Sequence, residues 1–148
     1  MRIVLVSSGY APGVGGLERV AGQLASHWKK AGHEVRVVTN RSLRTLPPHE
    51  VIDGIPVSRY FFVWELPQFN FLAYLKFAAH CLYVPYILLS LWEAFDPRRT
   101  DIVNIHYVGP PAWWAFFIAK IRSLPAVVTL HGSDLHTEAK RSRAKRWM

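Results

Sequence analysis

The chain has one cysteine, Cys81, in 148 residues. An internal disulfide and a thiolate zinc cluster are therefore excluded, and the usage suits a reducing compartment. Acidic residues are also scarce: Asp plus Glu is 10 against 18 for Lys plus Arg, a formal net charge of +8. That balance excludes a solvating acidic segment and points to anionic partners such as phosphate groups, nucleic acid or a headgroup surface. No internal repeat and no low-complexity tract is present. Charged residues are 19% and apolar residues 51% of the chain, a globular rather than disordered composition at a length that fits one domain. The N-terminus offers only Ile3-Val4-Leu5-Val6 before polar residues, too short an apolar run for a signal peptide, so a cytoplasmic chain beginning at Met1 is expected. Between Leu66 and Trp92 the only charge is Lys76. The stretch also holds Gln68, Asn70, His80, Pro85 and Ser90, which favours a buried or interfacial helix over a membrane span.

Against that background an alternating pattern emerges. Arg2 to Ser8 is a β-branched run bounded by Gly9 and Pro12 and reads as a strand buried on both faces. Gly13, Gly15 and Gly16 form a loop. Leu17, Val20, Leu24 and Trp28 then recur at helical spacing, with Lys29 and Lys30 in the last turn and Gly32 as the stop. Glu34 to Thr39 is a second strand. Arg41 to His49 reads as a loop, Asp53-Gly54 as a turn and Ile55 to Phe62 as a third strand. A long apolar helix runs from Phe69 to Trp92. Strands at Asp101 to His106 and Pro125 to Leu130 bracket a helix from Pro110 to Ser123, and the chain from Leu135 looks helical and basic. This order predicts an α/β fold: a Rossmann-like, doubly wound parallel sheet with helices on both faces, in a single domain over residues 1–148.

Chemistry is expected where the strands end. Glycines between the first strand and first helix allow close backbone approach and φ > 0, and the helix start supplies unpaired N–H groups that bind anions. The other reading is a tight turn that only packs helix on strand. The spacing is not that of known fingerprints. Glu18 stands where G-x-G-x-x-G requires its last glycine, the second strand ends in Thr39-Asn40 with no ribose-binding acid, and no Gly-Lys-Ser/Thr follows. A nicotinamide enzyme and a P-loop are thereby disfavoured. Glu18 suits the dipole at a helix start, and a functional role stands beside that reading. His106 and His131 both end strands, on the edge where open parallel sheets bind ligands, and could hydrogen-bond sugar hydroxyls or phosphate. No third ligand at a metal spacing accompanies them, so no metal is expected. Asp134 either caps the following helix or faces the ligand.

Three segments then resemble the N-terminal, acceptor-side domain of family 4 (GT4) glycosyltransferases of the GT-B fold. Gly15-Gly16-Leu17-Glu18 with Gly32-His33-Glu34-Val35 is similar to that family's GG-x-E helix and GHEV strand. Asp101-Ile102-Val103-Asn104-Ile105-His106 resembles its DIVH-x-H strand, with Asn104 at the first histidine. Pro125 to Asp134, PAVVTLHGSD, resembles its P-hV-h-T-x-HG-x-D segment. The resemblance implies a retaining transferase that moves a sugar from a nucleotide-sugar donor to an acceptor without a metal or other cofactor. By position it assigns Gly15 and Gly16 to the loop beside the donor diphosphate and His131 to the transferred sugar. It leaves His106, Gly132 and Asp134 as donor or acceptor contacts. The family's donor-binding domain with its cationic clamp and E-x7-E glutamates is not in this sequence. Transfer relies on positioning and on stabilising a leaving diphosphate, so the chain alone is expected to be inactive and to need that domain or a partner chain.

Five cations from Lys140 to Arg146, with Arg98-Arg99 and the indoles of Trp113, Trp114 and Trp147, add a second expectation. It is contact with the inner face of an anionic membrane and a lipid-linked acceptor, with a non-catalytic glycolipid or membrane-binding module as the alternative. No recognition helix or RNA-binding motif supports nucleic acid as the partner.

Overall fold

The computed structural model of the chain describes residues 1–41, 45–60, 71–106 and 110–129, with side chains undescribed at 71–80 and 110–111. Its elements in chain order are β1 (Arg2–Ser7), α1 (Gly16–Lys30), β2 (Glu34–Asn40), β3 (His49–Ile52), β4 (Ile55–Tyr60), α2 (Phe71–Ala94), β5 (Ile102–His106), α3 (Pro110–Ile121) and β6 (Ala126–Thr129). The strands form one sheet in the order β3-β4-β2-β1-β5-β6, parallel throughout except for the β3–β4 pair.

The period-two alternation of the strands sorts their side chains onto two helical layers. On one face Leu5, Val35, Val37, Ile55 and Val57 bury against Ala21 and Ala25 of α1. On the other, Val4, Val6, Val38, Val103 and Ile105 bury against Ile87 and Leu91 of α2 and Ala115, Ile118 and Ala119 of α3. The Rossmann-like, doubly wound arrangement expected from the sequence is therefore present, with helices on both faces.

Local signals set the boundaries of α1. Gly32 lies at φ +83°, and the His33 and Gly32 amides donate to the carbonyls of Trp28 and Lys29, each at 3.0 Å. This pairing ends the helix in a left-handed cap that only glycine adopts without strain. One expectation is corrected. His49, placed in a loop by sequence, begins β3, which pairs antiparallel with β4 across a two-residue turn at Asp53 (φ 50°) and Gly54 (φ 70°). Consecutive positive φ values match the right-handed twist of a hairpin. Leu130 and the basic segment after it lie outside the described residues.

Candidate functional site

The chain leaves β1 toward β2 and β4 on one side and returns through α2 to β5 on the other. The strand order thus switches between β1 and β5, and in open α/β sheets a crevice forms at the carboxyl ends of such a pair. Ser7 and His106 are those ends and are register partners. Continuing the register across the edge aligns Thr129, His106, Ser7, Thr39 and Arg59. All five follow Leu5, Val37 and Val57 in the alternation and so lie on the α1 side of the sheet. Each strand core is apolar and then ends in a polar residue, producing a polar band along the carboxyl edge.

The band is buried. Ser7, Thr39, Arg59 and His106 are each 3% exposed or less. The Ser7 hydroxyl donates to the Gly9 carbonyl at 2.8 Å, holding the chain as it leaves β1. The Arg59 guanidinium donates to Glu50 Oε1 and to the carbonyl of Ala11, so a cation from β4 braces the β1–α1 loop from below. Burial pushes the Tyr10 phenol above its ordinary pKa, with Arg59 nearby opposing the shift. Thr39 Oγ1 and Asn104 Oδ1 are buried with no hydrogen-bond partner among the described residues.

Above the band sits the start of α1. Gly15 is the N-cap, in extended backbone (φ −135°, ψ 173°), and contributes no side-chain cap. The first helical bond runs from the Arg19 amide to the Gly15 carbonyl at 3.1 Å. The amides of Gly16, Leu17 and Glu18 precede the intrahelical ladder and form the anion-favouring end of the helix dipole.

The structure corrects the reason expected for these glycines. Gly13, Gly15 and Gly16 do not adopt positive φ; among the glycines described, only Gly32 and Gly54 do. Two of them instead lie against the Glu18 side chain. A Cβ at Gly9 or Gly15 would overlap the Glu18 carboxylate, and one at Gly13 would come within 3.1 Å of Glu18 Cγ. Glu18 thus folds back over the loop, placing a carboxylate where an anionic ligand of the helix start would compete with it. A Cβ at Gly16 meets nothing within 4 Å, so the backbone there is open to approach.

Of the residues singled out by sequence, Gly15, Gly16, Glu18 and His106 gather at this edge. β6 reaches the same edge at Thr129, and His131, Gly132 and Asp134 follow it outside the described residues. Sequence reasoning missed Ser7, Thr39, Arg59 and Glu50; the signal available for the first three was the pair of polar residues at the end of each apolar run, Ser7-Ser8, Thr39-Asn40 and Ser58-Arg59. Among the described residues, no group of three or more His, Cys, Asp or Glu could hold a metal ion. A second groove, about 550 Å³, lies on the opposite face between α2 and β3–β4 and is lined by Arg36, His49, Ser58, Tyr60, Tyr86 and Glu93 among others.

A family model described as glycosyl transferase 4-like domain matches residues 15–148. The chain belongs to that family. The family match supports glycosyl transfer in general, and the Rossmann-like fold described above is that of a glycosyl transferase 4-like domain. Sucrose-phosphate synthase from Thermosynechococcus elongatus superposes with a TM-score of 0.54 at 16% identity, over 88% of this chain and 33% of the synthase. The chain thus spans about one third of that enzyme's length. The C-terminal domain of a hydrogenase from Pyrococcus furiosus superposes with a TM-score of 0.51 at 18% identity, over 86% of this chain and 90% of that one. At such identities the likeness is one of fold, and two such different proteins sharing it show that function must be argued from the site. No curated protein matches the chain in sequence.

Proposed function

We propose that the β1–β5 carboxyl edge is the acceptor-side wall of a retaining glycosyltransferase site that uses a nucleotide-sugar donor. The observation that carries this reading is the juxtaposition of the open α1 start at Gly15-Gly16 with the buried polar band containing Ser7 and His106. The helix start supplies N–H donors for a diphosphate. The band supplies hydroxyl and imidazole groups for sugar hydroxyls, and His131, Gly132 and Asp134 follow β6 from the same edge. In the net reaction the anomeric C–O bond to the diphosphate breaks and the diphosphate leaves with the bonding pair. The acceptor oxygen bonds the anomeric carbon on the same face, and the acceptor proton is released. No metal or cofactor is required by this scheme.

The cationic clamp for the leaving diphosphate comes, in this reading, from a donor-binding half that is not in this sequence, so the chain alone is inactive. The apolar outer faces of α2 and α3 favour a lipid-linked acceptor and a place at the inner face of a membrane. The test is transfer of radiolabel from a panel of nucleotide sugars into extracts of the source cell, which supply acceptor and donor-binding half, with the product anomer determined by NMR. Transfer with retention that depends on the added chain and is lost with His131→Ala supports the proposal. Equal incorporation with wild type, His131→Ala and no added protein across the panel would overturn it.

A further inference from the structure

The groove between α2 and the β2–β4–β3 face stands apart from the carboxyl-edge site. Its volume, about 550 Å³, is that of a small-molecule pocket. The alternation that puts Val38 and Tyr60 in the α2-side core also turns Arg36, Pro56 and Ser58 toward α2. These strand residues form one wall. On the other wall, Tyr86, Ser90 and Glu93 follow one another along a single stripe of α2. Because α2 runs from the carboxyl edge to the amino edge, the two walls match in order. Each passes from a tyrosine, through a hydroxyl, to a charge: Tyr60, Ser58 and Arg36 on the sheet, and Tyr86, Ser90 and Glu93 on the helix. The two charges are of opposite sign.

Those charges do not neutralise each other. The half-buried Arg36 guanidinium donates through Nη2 to the Arg99 carbonyl at 2.7 Å and the Thr100 hydroxyl at 2.8 Å, both neutral acceptors. Among the described residues no carboxylate pairs with it, and its Nε and Nη1 make no hydrogen bond. Burial lowers its pKa; Arg99 and Arg2 add to that, and Glu34 and Asp96 oppose it. A partly buried cation held only by neutral groups favours an added anion. Glu93 likewise has no ion pair among the described residues. Burial raises the Tyr60 pKa against a hydrogen bond from Ser58, and the Glu93 charge adds to the rise, so that carboxylate acts into the groove. The remaining charges at this end face each other, Arg99 and Asp96 at 4.0 Å, and Asp96 also accepts from the Arg98 amide at 3.0 Å. At the opposite end the Tyr60 ring stands edge-on to His49 and to Tyr86, each with centroids 6.4 Å apart. His49 Nδ1 lies 3.2 Å from Ser58 Oγ, and Tyr86 is 49% exposed.

We propose that this groove binds a free α-amino acid with an aromatic side chain. The carboxylate meets Arg36, the ammonium meets Glu93, and the ring settles beside Tyr86 and Tyr60 in the edge-to-face arrangement those rings already adopt. Charge selects the class. A simple anion would satisfy Arg36 and bring its charge against Glu93, and a simple cation would do the reverse. A zwitterion satisfies both, whereas the end of a peptide carries only one of the two charges. Continuing the β2–β4 register sets Arg36 beside Pro56, four residues or about 13 Å along the strand from Tyr60. That span holds the arginine side chain and an aromatic amino acid end to end. The groove lies on the sheet face opposite Ser7 and His106, so its occupancy does not depend on the glycosyl-transfer reading.

The test is isothermal titration calorimetry of the full chain with L-phenylalanine, N-acetyl-L-phenylalanine, L-phenylalaninamide and L-alanine. L-Phenylalanine is expected to bind. The N-acetyl compound lacks the cation, the amide lacks the anion and alanine lacks the ring, and each should bind about tenfold more weakly or worse. Glu93→Gln should weaken L-phenylalanine by a similar factor while leaving N-acetyl-L-phenylalanine no worse. Glu93 is exposed, so this variant should keep the wild-type circular dichroism. Amide shift mapping in the wild-type chain adds a readout that needs no variant: L-phenylalanine should perturb Arg36, Ser58, Tyr60 and Tyr86. No binding of L-phenylalanine at 10 mM, roughly a 3 kcal/mol limit, would overturn the proposal. So would equal binding of the N-acetyl compound, which identifies a simple anion site, or equal binding by Glu93→Gln. Shifts confined to Ser7, Gly15 and His106 would also overturn it, by placing the ligand in the crevice.

Discussion

Arg59 and Glu50 offer an asymmetric test of how the polar band is built. The Arg59 side chain is 1% exposed and that of Glu50 28%. Replacing Glu50 with alanine strands a buried guanidinium with the Ala11 carbonyl as its remaining acceptor. Removing one partner of a buried pair in this way costs about 3–5 kcal/mol. Replacing Arg59 with methionine is milder. The Glu50 carboxylate can turn to water, and the main loss is the hydrogen bond to the Ala11 carbonyl, about 1–3 kcal/mol. Because Glu50 chiefly neutralises Arg59, the double variant should cost about as much as Arg59→Met alone. A domain of this length has about 7–20 kcal/mol in total. Glu50→Ala should therefore lower Tm by about 6–20 °C, read by circular dichroism. Additive costs in the double variant, or a larger cost for Arg59→Met than for Glu50→Ala, would refute the assignment of Arg59 as a buried brace under the β1–α1 loop.

Other perturbations follow from the same geometry. Gly32→Ala forces a side chain into φ +83° and should cost about 1–2 kcal/mol in urea unfolding, while Gly16→Ala, with open space around it, should cost much less. Leu91→Ala, at 0% exposure between α2 and the sheet, should cost about 2–5 kcal/mol. Asp101 accepts from the Arg2 side-chain Nε at 3.0 Å and from its backbone amide at 2.7 Å, and these bonds hold its carboxyl below the usual range. A depressed folded pKa contributes stability above the unfolded value of about 4 and loses it as pH falls below that. Asp101→Asn should accordingly flatten the acid limb of a stability-versus-pH curve, and an unchanged limb would contradict the assignment. Glu18→Gln removes the carboxylate over the glycine loop and should tighten inorganic phosphate binding measured by NMR titration, most clearly at low salt.

Much of the architecture was legible because long apolar runs at periods of two and 3.6 determine both element type and which face is buried. β3 was not. His49–Ile52 is four residues long and none of them is buried, so its local pattern is indistinguishable from a loop. Pairing with β4 through the Asp53-Gly54 turn is what makes it a strand. At the site, Gly15, Gly16, Glu18 and His106 stood out because they flank strand ends. Arg59 did not, since a charged residue near the end of a strand reads as solvent-facing until the tertiary fold places Glu50 and Ala11 against it. The loop glycines were singled out partly for positive φ, which none of Gly13, Gly15 and Gly16 adopts. Their small size admits Glu18, whereas positive φ is used at Gly32 and Gly54.

The most direct measurement is amide chemical-shift mapping of the chain titrated with nucleoside diphosphates, nucleotide sugars and sugar acceptors. The expected result is a cluster of perturbations at Ser7, Gly9, Gly13, Gly15 to Leu17 and His106, where the start of α1 meets the buried polar band. Perturbations confined to the groove of Arg36, Tyr60 and Tyr86, or none at millimolar ligand, would contradict the placement of the glycosyl-transfer site at the carboxyl edge of β1 and β5.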